Sequence, residues 1–252
     1  MIIEYHRPQT IAQALALLGR AEPHSLPLAG GSALNRPGGP PVAAVDLQAL
    51  GLNTLQRRGS LLELGATLTL QAVLEAPDIP DALRHAARHE AAYNLRQVAS
   101  VAGTLVAADG RSPFTTALLA LDATLALAPG AETLGLGDLL PLRAERLRGR
   151  LITAVTLPLN ARLAYHYVAR TPADRPLVCA ALCAWPSGRI RLALGGFSSA
   201  PLLAFDGTEP AGLEEAARSA YAAAGDQWAP AGYRQDAAAV LARRCLAEVS
   251  QP

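Results

Sequence analysis

HSLPLAGGSALNRPGGPPVAAVDLQAL, from His24 to Leu50, is the stretch whose reading decides the fold. An apolar run ending at Ala29 stops on Gly30-Gly31-Ser32. A second glycine pair, Gly38-Gly39, follows, and Pro41 to Leu47 is apolar again. Two short apolar runs bounded by glycines read as strands around a sharp turn. Glycines there imply positive φ, or something that comes close to the main chain. Upstream, Ile2 to Tyr5 reads as a strand ending ahead of Pro8, and Thr10 can cap a helix through Leu18. Strand, helix, strand, glycine turn and strand make a small α/β unit over residues 1–53.

From Thr54 the pattern changes. Leu55 to Ala66 predicts a hairpin turning at Arg58-Gly59-Ser60, and Thr69 starts a helix that stops at Pro77. A helix capped by Asp78 or Asp81 follows. Val98 to Val106 reads as strand-like, Phe114 to Leu121 as a buried helix, and Ala123–Leu127 and Leu151–Leu157 as strands. Asp122 marks a helix-to-strand turn. Beyond a boundary near Asn160, three strands (Leu163–Ala169, Leu177–Trp185, Arg189–Phe197) are separated by turn signals at Pro172 and Pro186-Ser187-Gly188. Helices over Leu213–Ala224 and Tyr233–Val249 complete an α+β layer.

The composition narrows function. Hydrophobic residues make up 51% of 252, enough for globular cores rather than a disordered chain. A net charge of +1 gives no reason to expect nucleic acid or an acidic membrane. All 22 basic residues are Arg, which excludes Schiff-base chemistry, lysine-bound pyridoxal phosphate and a P-loop. The three cysteines, Cys179, Cys183 and Cys245, form no closed disulfide set and read as buried small hydrophobes. Without a Cys-x-x-Cys, no cysteine-ligated zinc or iron–sulfur site is expected in the chain. Neither a charged-then-apolar leader nor a bilayer-length apolar run is visible, which predicts a cytoplasmic, reducing location.

Catalytic and metal sites are not expected. His85 and His89 lie four apart on a predicted helix, but Arg84 and Arg88 share that surface, so it reads as a solvated basic face. No Ser or Cys nucleophile has a recognisable setting, and no carboxylates pair by spacing. The glycine turn has a counterpart in Ser100-Val101-Ala102-Gly103-Thr104. Main-chain N–H groups in two such turns could cradle a diphosphate from two sides, with Ser32, Ser100 and Thr104 as hydroxyl donors. Neither turn is a Gly-x-Gly-x-x-Gly opening a helix, which disfavours a Rossmann site.

The ordered set EYHRPQTIAQALALL, LAGGSAL, VDLQAL, LELGATLTLQAVLEAP, ASVAGTL, LLALDATLAL, LITAVTLP and YRQDAAAVLARRCLAEV resembles one family across nearly the whole chain. That family is the FAD-binding medium subunits of the molybdenum hydroxylases, of the carbon monoxide dehydrogenase and xanthine dehydrogenase type. The resemblance implies an α+β fold: a two-subdomain FAD-binding domain over residues 1–160 (about 1–53 and 54–160), PCMH-like. A C-terminal domain over 161–252, with a three-stranded antiparallel sheet and helices, would follow.

By the same resemblance, FAD is the cofactor, held at Ala29, Gly30, Gly31, Ser32 and Ala33, at Ser100, Val101, Ala102, Gly103 and Thr104, and at Asp109. The flavin ring lies toward the C-terminal domain. The chain becomes an oxidoreductase subunit that passes electrons from a partner's two-iron clusters through FAD to an acceptor. Its partners are a molybdopterin-binding large subunit and an iron–sulfur small subunit. The family's Gly-Gly-Asn reads Ala102-Gly103-Thr104 here, Asp109-Gly110 is followed by Pro113 so that the family's second acid is missing, and Asp-Phe-Ala reads Asp174-Arg175-Pro176. Ala102 disfavours positive φ, and Thr104 keeps a hydroxyl but loses an amide's reach. These departures motivate an alternative, a flavin-free structural or assembly module of the same fold.

Overall fold

The structure, a computed structural model, describes residues 1–32, 34, 40–130 and 132–251. In chain order the first elements are β1 (Ile2–His6), α1 (Ile11–Leu18), β2 (Ser25–Leu28), β3 (Val42–Asp46), β4 (Leu55–Arg58) and β5 (Leu61–Gly65). Helices α2 (Leu70–Glu75), α3 (Asp81–Glu90), α4 (Tyr93–Arg96), α5 (Val101–Ala107) and α6 (Pro113–Ala120) follow. Then come β6 (Thr124–Ala128), β7 (Glu132–Gly135), α7 (Leu136–Leu139), α8 (Arg143–Arg146), β8 (Leu151–Pro158) and β9 (Arg162–Val168). The chain closes with β10 (Val178–Ala184), β11 (Ile190–Gly195), β12 (Leu202–Gly207), α9 (Leu213–Ala220) and α10 (Ala231–Val249).

These elements form two compact units that interleave along the sequence. The first comprises Met1–Ala76, Tyr93–Ala107 and Thr124–Thr156. The second comprises Pro77–Ala92, Ala108–Ala123 and Leu157–Pro252. By these contacts the segments 77–92 and 108–123 join the C-terminal residues, whereas the sequence reading places a single cut near Asn160.

The first unit holds two sheets. β1, β3 and β2 pair in parallel in that order, so both connections are crossovers, one of them through α1. Thr10 caps α1 as expected, its side chain accepting from the Gln13 amide at 3.2 Å. Ala14 on α1 packs with Val45, Leu47 and Leu151 in a small core. β3, the central strand, is buried along its whole length, which is why VAAVD shows no polar alternation. The second sheet has the order β4-β5-β8-β6-β7. β4 and β5 form the expected hairpin, and Gly59 turns it at φ +62°.

In the second unit β12, β11, β10 and β9 form one antiparallel sheet. The expected three strands are therefore four, the addition being β12 at the edge beyond β11. Val178, Ala180 and Leu182 of β10 join Leu192 and Leu194 of β11 in a core with Leu213, Tyr221 and Leu241 from the α9–α10 region. The alternate residues Cys179 and Arg191 point the other way, toward α6: Cys179 Sγ meets Thr116 Oγ1 and Arg191 reaches the Leu119 carbonyl. A sheet covered on both faces explains why VCAALCA is apolar throughout and why α6 is entirely buried. All three cysteines are free and buried, and burial pushes each thiol up to about 12.

Two further readings are corrected. Val98–Val106 is not a strand, because α5 begins at Val101. α3 is capped by Pro80 with no side-chain bond, and Asp81 sits in its first turn, where its charge opposes the positive end of the helix. Among the described residues no helix is long and apolar enough to cross a membrane.

Candidate functional site

In the first unit the first small-residue segment packs against the residues just ahead of the second. β2 ends at Leu28 and the chain passes through Ala29 and Gly30 to Gly31, which takes φ +72°. An ideal Cβ on Gly30 would lie 1.6 Å from the Val98 carbonyl oxygen. Part of what comes close to the bare backbone is therefore the main chain two residues ahead of Ser100. Among the described residues no hydrogen bond is made by the amides of Gly30, Gly31 and Ser32. Ala33 and Gly38-Gly39 lie outside the described residues.

The second segment is the opening of α5 rather than a loop. Ser100, 3% exposed, acts as its N-cap: its Oγ accepts from the Gly103 amide at 3.2 Å and its carbonyl from the Thr104 amide at 2.9 Å. The Val101 amide donates to the Leu68 carbonyl at 2.8 Å and the Ala102 amide to Ala66 at 3.0 Å. The Thr104 hydroxyl donates to the Ser100 carbonyl at 2.8 Å. Every amide from Val101 to Thr104 thus has a partner inside the chain, so the second cradle of open N–H groups expected from sequence is not seen. What this segment offers outward is the exposed, side-chain-free surface of Gly103.

Asp109 belongs to the second unit. The Gly110 amide donates to the Ser198 carbonyl at 2.9 Å, and the Gly196 amide to the Gly110 carbonyl at 2.6 Å, which pins the backbone beside it. Arg175 grips the Asp109 carboxylate with both terminal nitrogens, at 2.6 and 3.0 Å. Partial burial works to raise this carboxyl, but the Arg175 bonds and charge and the Arg111 amide together hold it below the usual range. The Asp109 carboxylate is thus occupied by a partner within the chain, Arg175.

Nearby in sequence, Glu90 at the end of α3 accepts from the Ser112 hydroxyl at 2.8 Å and the Phe114 amide at 3.0 Å. Burial pushes its carboxyl above the usual range, against those two bonds. His85 and His89 do not form a purely solvated face. Their rings, 4.5 Å apart, pack on Tyr165 and Tyr167 of β9, the shortest separation being 4.2 Å between His89 and Tyr167. Desolvation, with the charge of Arg88, lowers the His85 imidazole.

The sequence model described as the FAD binding domain in molybdopterin dehydrogenase matches residues 1–160. The chain belongs to this family of FAD-binding domains. It is also 30% identical to the uncharacterized protein YgfM of Escherichia coli strain K12, over all of this chain and 98% of that one. Among solved structures it is similar to reconstituted CO dehydrogenase from Oligotropha carboxidovorans, with a TM-score of 0.83 and 25% identity over 98% of this chain and 96% of that one. Quinoline 2-oxidoreductase from Pseudomonas putida 86, at 20% identity, shares the fold, with a TM-score of 0.78 over 98% and 96% of the two chains.

FAD is the cofactor of this FAD-binding family. The residues present fit it on one flank. The left-handed Gly31 and the neighbouring open amides suit phosphate oxygens, and Ser32 adds a hydroxyl. On the other flank the amides of α5 are taken, leaving the positive end of a helix dipole and the bare Gly103.

Proposed function

We propose that this chain is the FAD-binding electron-transfer subunit of a molybdopterin-dependent hydroxylase or dehydrogenase. The single observation carrying this reading is the packing of Gly30 against Val98, three residues ahead of α5, with the amides of Gly30–Ser32 making no hydrogen bond among the described residues. In this reading Ala29–Ala33 hold the FAD diphosphate through main-chain N–H groups, with Ser100–Thr104 as the supporting wall. FAD, when bound, supplies the redox chemistry that would link a partner's two-iron clusters to an acceptor. The chain's own task is placement, so it needs no acid, base or nucleophile, in keeping with thiols pushed up to about 12. Molybdenum chemistry and clusters belong in this reading to a large and a small partner subunit. The flavin-binding part spans residues 1–160, and the complex resides in the cytoplasm.

A second reading, a flavin-free structural module of the same fold, draws on two observations. The α5 amides are satisfied within the chain, and Asp109 is closed by Arg175. Absorbance separates the two: purified protein equilibrated with FAD and desalted stays yellow in the first reading, and colourless in the second.

A further inference from the structure

The second unit contains a cavity of about 320 Å³ lined by Arg111, Arg170, Asp174, Arg175, Leu177 and Trp228. It shares no residue with the segments 29–33 and 100–104. We propose that this cavity is an anion pocket that takes a phosphoryl group, of free phosphate or of a nucleotide, on Arg111 and Arg170 beside the Trp228 indole. The inference stands on these residues alone and does not rest on the flavin reading.

The walls are built, not incidental. Arg234, fully buried, donates to the Leu177 and Gly196 carbonyls at 2.6 Å each and to the Asp226 carboxylate at 2.7 Å. Asp226 in turn accepts from the Trp228 amide at 2.8 Å. One buried guanidinium therefore fixes both the Leu177 wall and the turn that carries the indole. The guanidinium carbons of Arg111 and Arg170 each lie 5.1 Å from the Trp228 ring centroid.

Donors remain open toward an anion. Arg111 uses Nε and one terminal nitrogen on the Pro176 and Arg175 carbonyls, at 3.0 and 2.6 Å. Arg170 uses one on the Trp228 carbonyl, at 3.2 Å. Among the described residues neither has a carboxylate at ion-pair distance. Arg175 is neutralised by Asp109, which takes both of its terminal nitrogens. Against two unneutralised guanidiniums the lining offers one carboxylate, Asp174, so the site stays cationic. Desolvation and the charge of Arg175 depress the Arg111 guanidinium, and a dianion would relieve both effects. The volume lies at the lower end of small-ligand pockets, which suits a phosphate or diphosphate group.

The test is a fluorescence titration of the Trp185→Phe protein, in which Trp228 is the only indole, with inorganic pyrophosphate at constant ionic strength. A saturable change is expected, weakened about tenfold or more by Arg170→Gln, an exposed position whose replacement leaves the bonds of Arg234 to Leu177, Gly196 and Asp226 in place. Circular dichroism confirms that this variant folds. Gly31→Asp, at the first-unit turn, is expected to leave the Trp228 response as it was. ADP binding more tightly than pyrophosphate supports the pocket with a nucleotide as the source, and equal binding supports it with the free anion. No saturation, an affinity unmoved by Arg170→Gln, or a response lost in Gly31→Asp would each overturn the proposal. The last outcome would place the anion at the glycine turn and leave the flavin reading standing.

Discussion

The carbonyl oxygen of Val98 occupies the place where a side chain on Gly30 would begin, 1.6 Å from its ideal Cβ. Backbone meets backbone there, so no rotamer change relieves the overlap. Gly30→Ala is expected to push the two segments apart and destabilise the protein by about 2 kcal/mol or more, at the upper end of overpacking effects. Gly103→Ala meets only the Ser100 hydroxyl, at 2.7 Å, and sits in a helix where Ala is favoured, so its effect is expected to be much smaller. Urea denaturation of both variants checks the order.

Glu90 gives stability a defined pH dependence. Its carboxyl is raised in the folded state, so the folded chain holds the proton more tightly than the unfolded one. This contribution is fully present below the ordinary value of 4.5 and is lost as pH climbs from there through the folded value. Glu90→Gln, which mimics the protonated acid, is expected to gain stability relative to the parent across that climb. Equal dependence on pH in both proteins would contradict the assignment.

Asp109 has the opposite sign. Its carboxyl is held low by Arg175, so this stability is present above the ordinary value of 3.8 and is lost as pH falls through the lower folded value. The pair is about half exposed, and solvent screening limits it to about 0.5–1 kcal/mol. Arg175→Ala is expected to show that deficit at neutral pH and to match the parent in acid.

Buried thiols pushed up to about 12 should be inert in the folded protein. A thiol reagent at neutral pH is expected to modify Cys179, Cys183 and Cys245 only as fast as the chain opens, and all three at once in denaturant. Rapid labelling of the native protein would show that one of them is reachable.

Much of this architecture was legible because periodicity and caps agree: Thr10 and Thr69 cap their helices, and the hairpin turns at Gly59. Val98–Val106 misled because valines and a threonine favour strands. Its helical start depends on Leu68 and Ala66 carbonyls more than thirty positions away, which no local pattern reveals. β12 escaped notice because it is an edge strand with little alternation. The glycine turn was readable as a bare backbone, but that Val98 is the close neighbour was not. Asp109–Arg175 and the packing of His85 and His89 on two tyrosines join distant segments and needed the folded chain to appear.

Flavin retention tests the central claim most directly. The parent and Gly31→Asp proteins are incubated with FAD and desalted, and the flavin released by heat is quantified per chain. Asp tolerates the left-handed backbone better than most residues, so the variant should fold, while its carboxylate would repel a diphosphate at the open amides. The account predicts stoichiometric FAD on the parent and none on the variant. A folded parent that emerges colourless, or a folded variant that keeps its flavin, would contradict it.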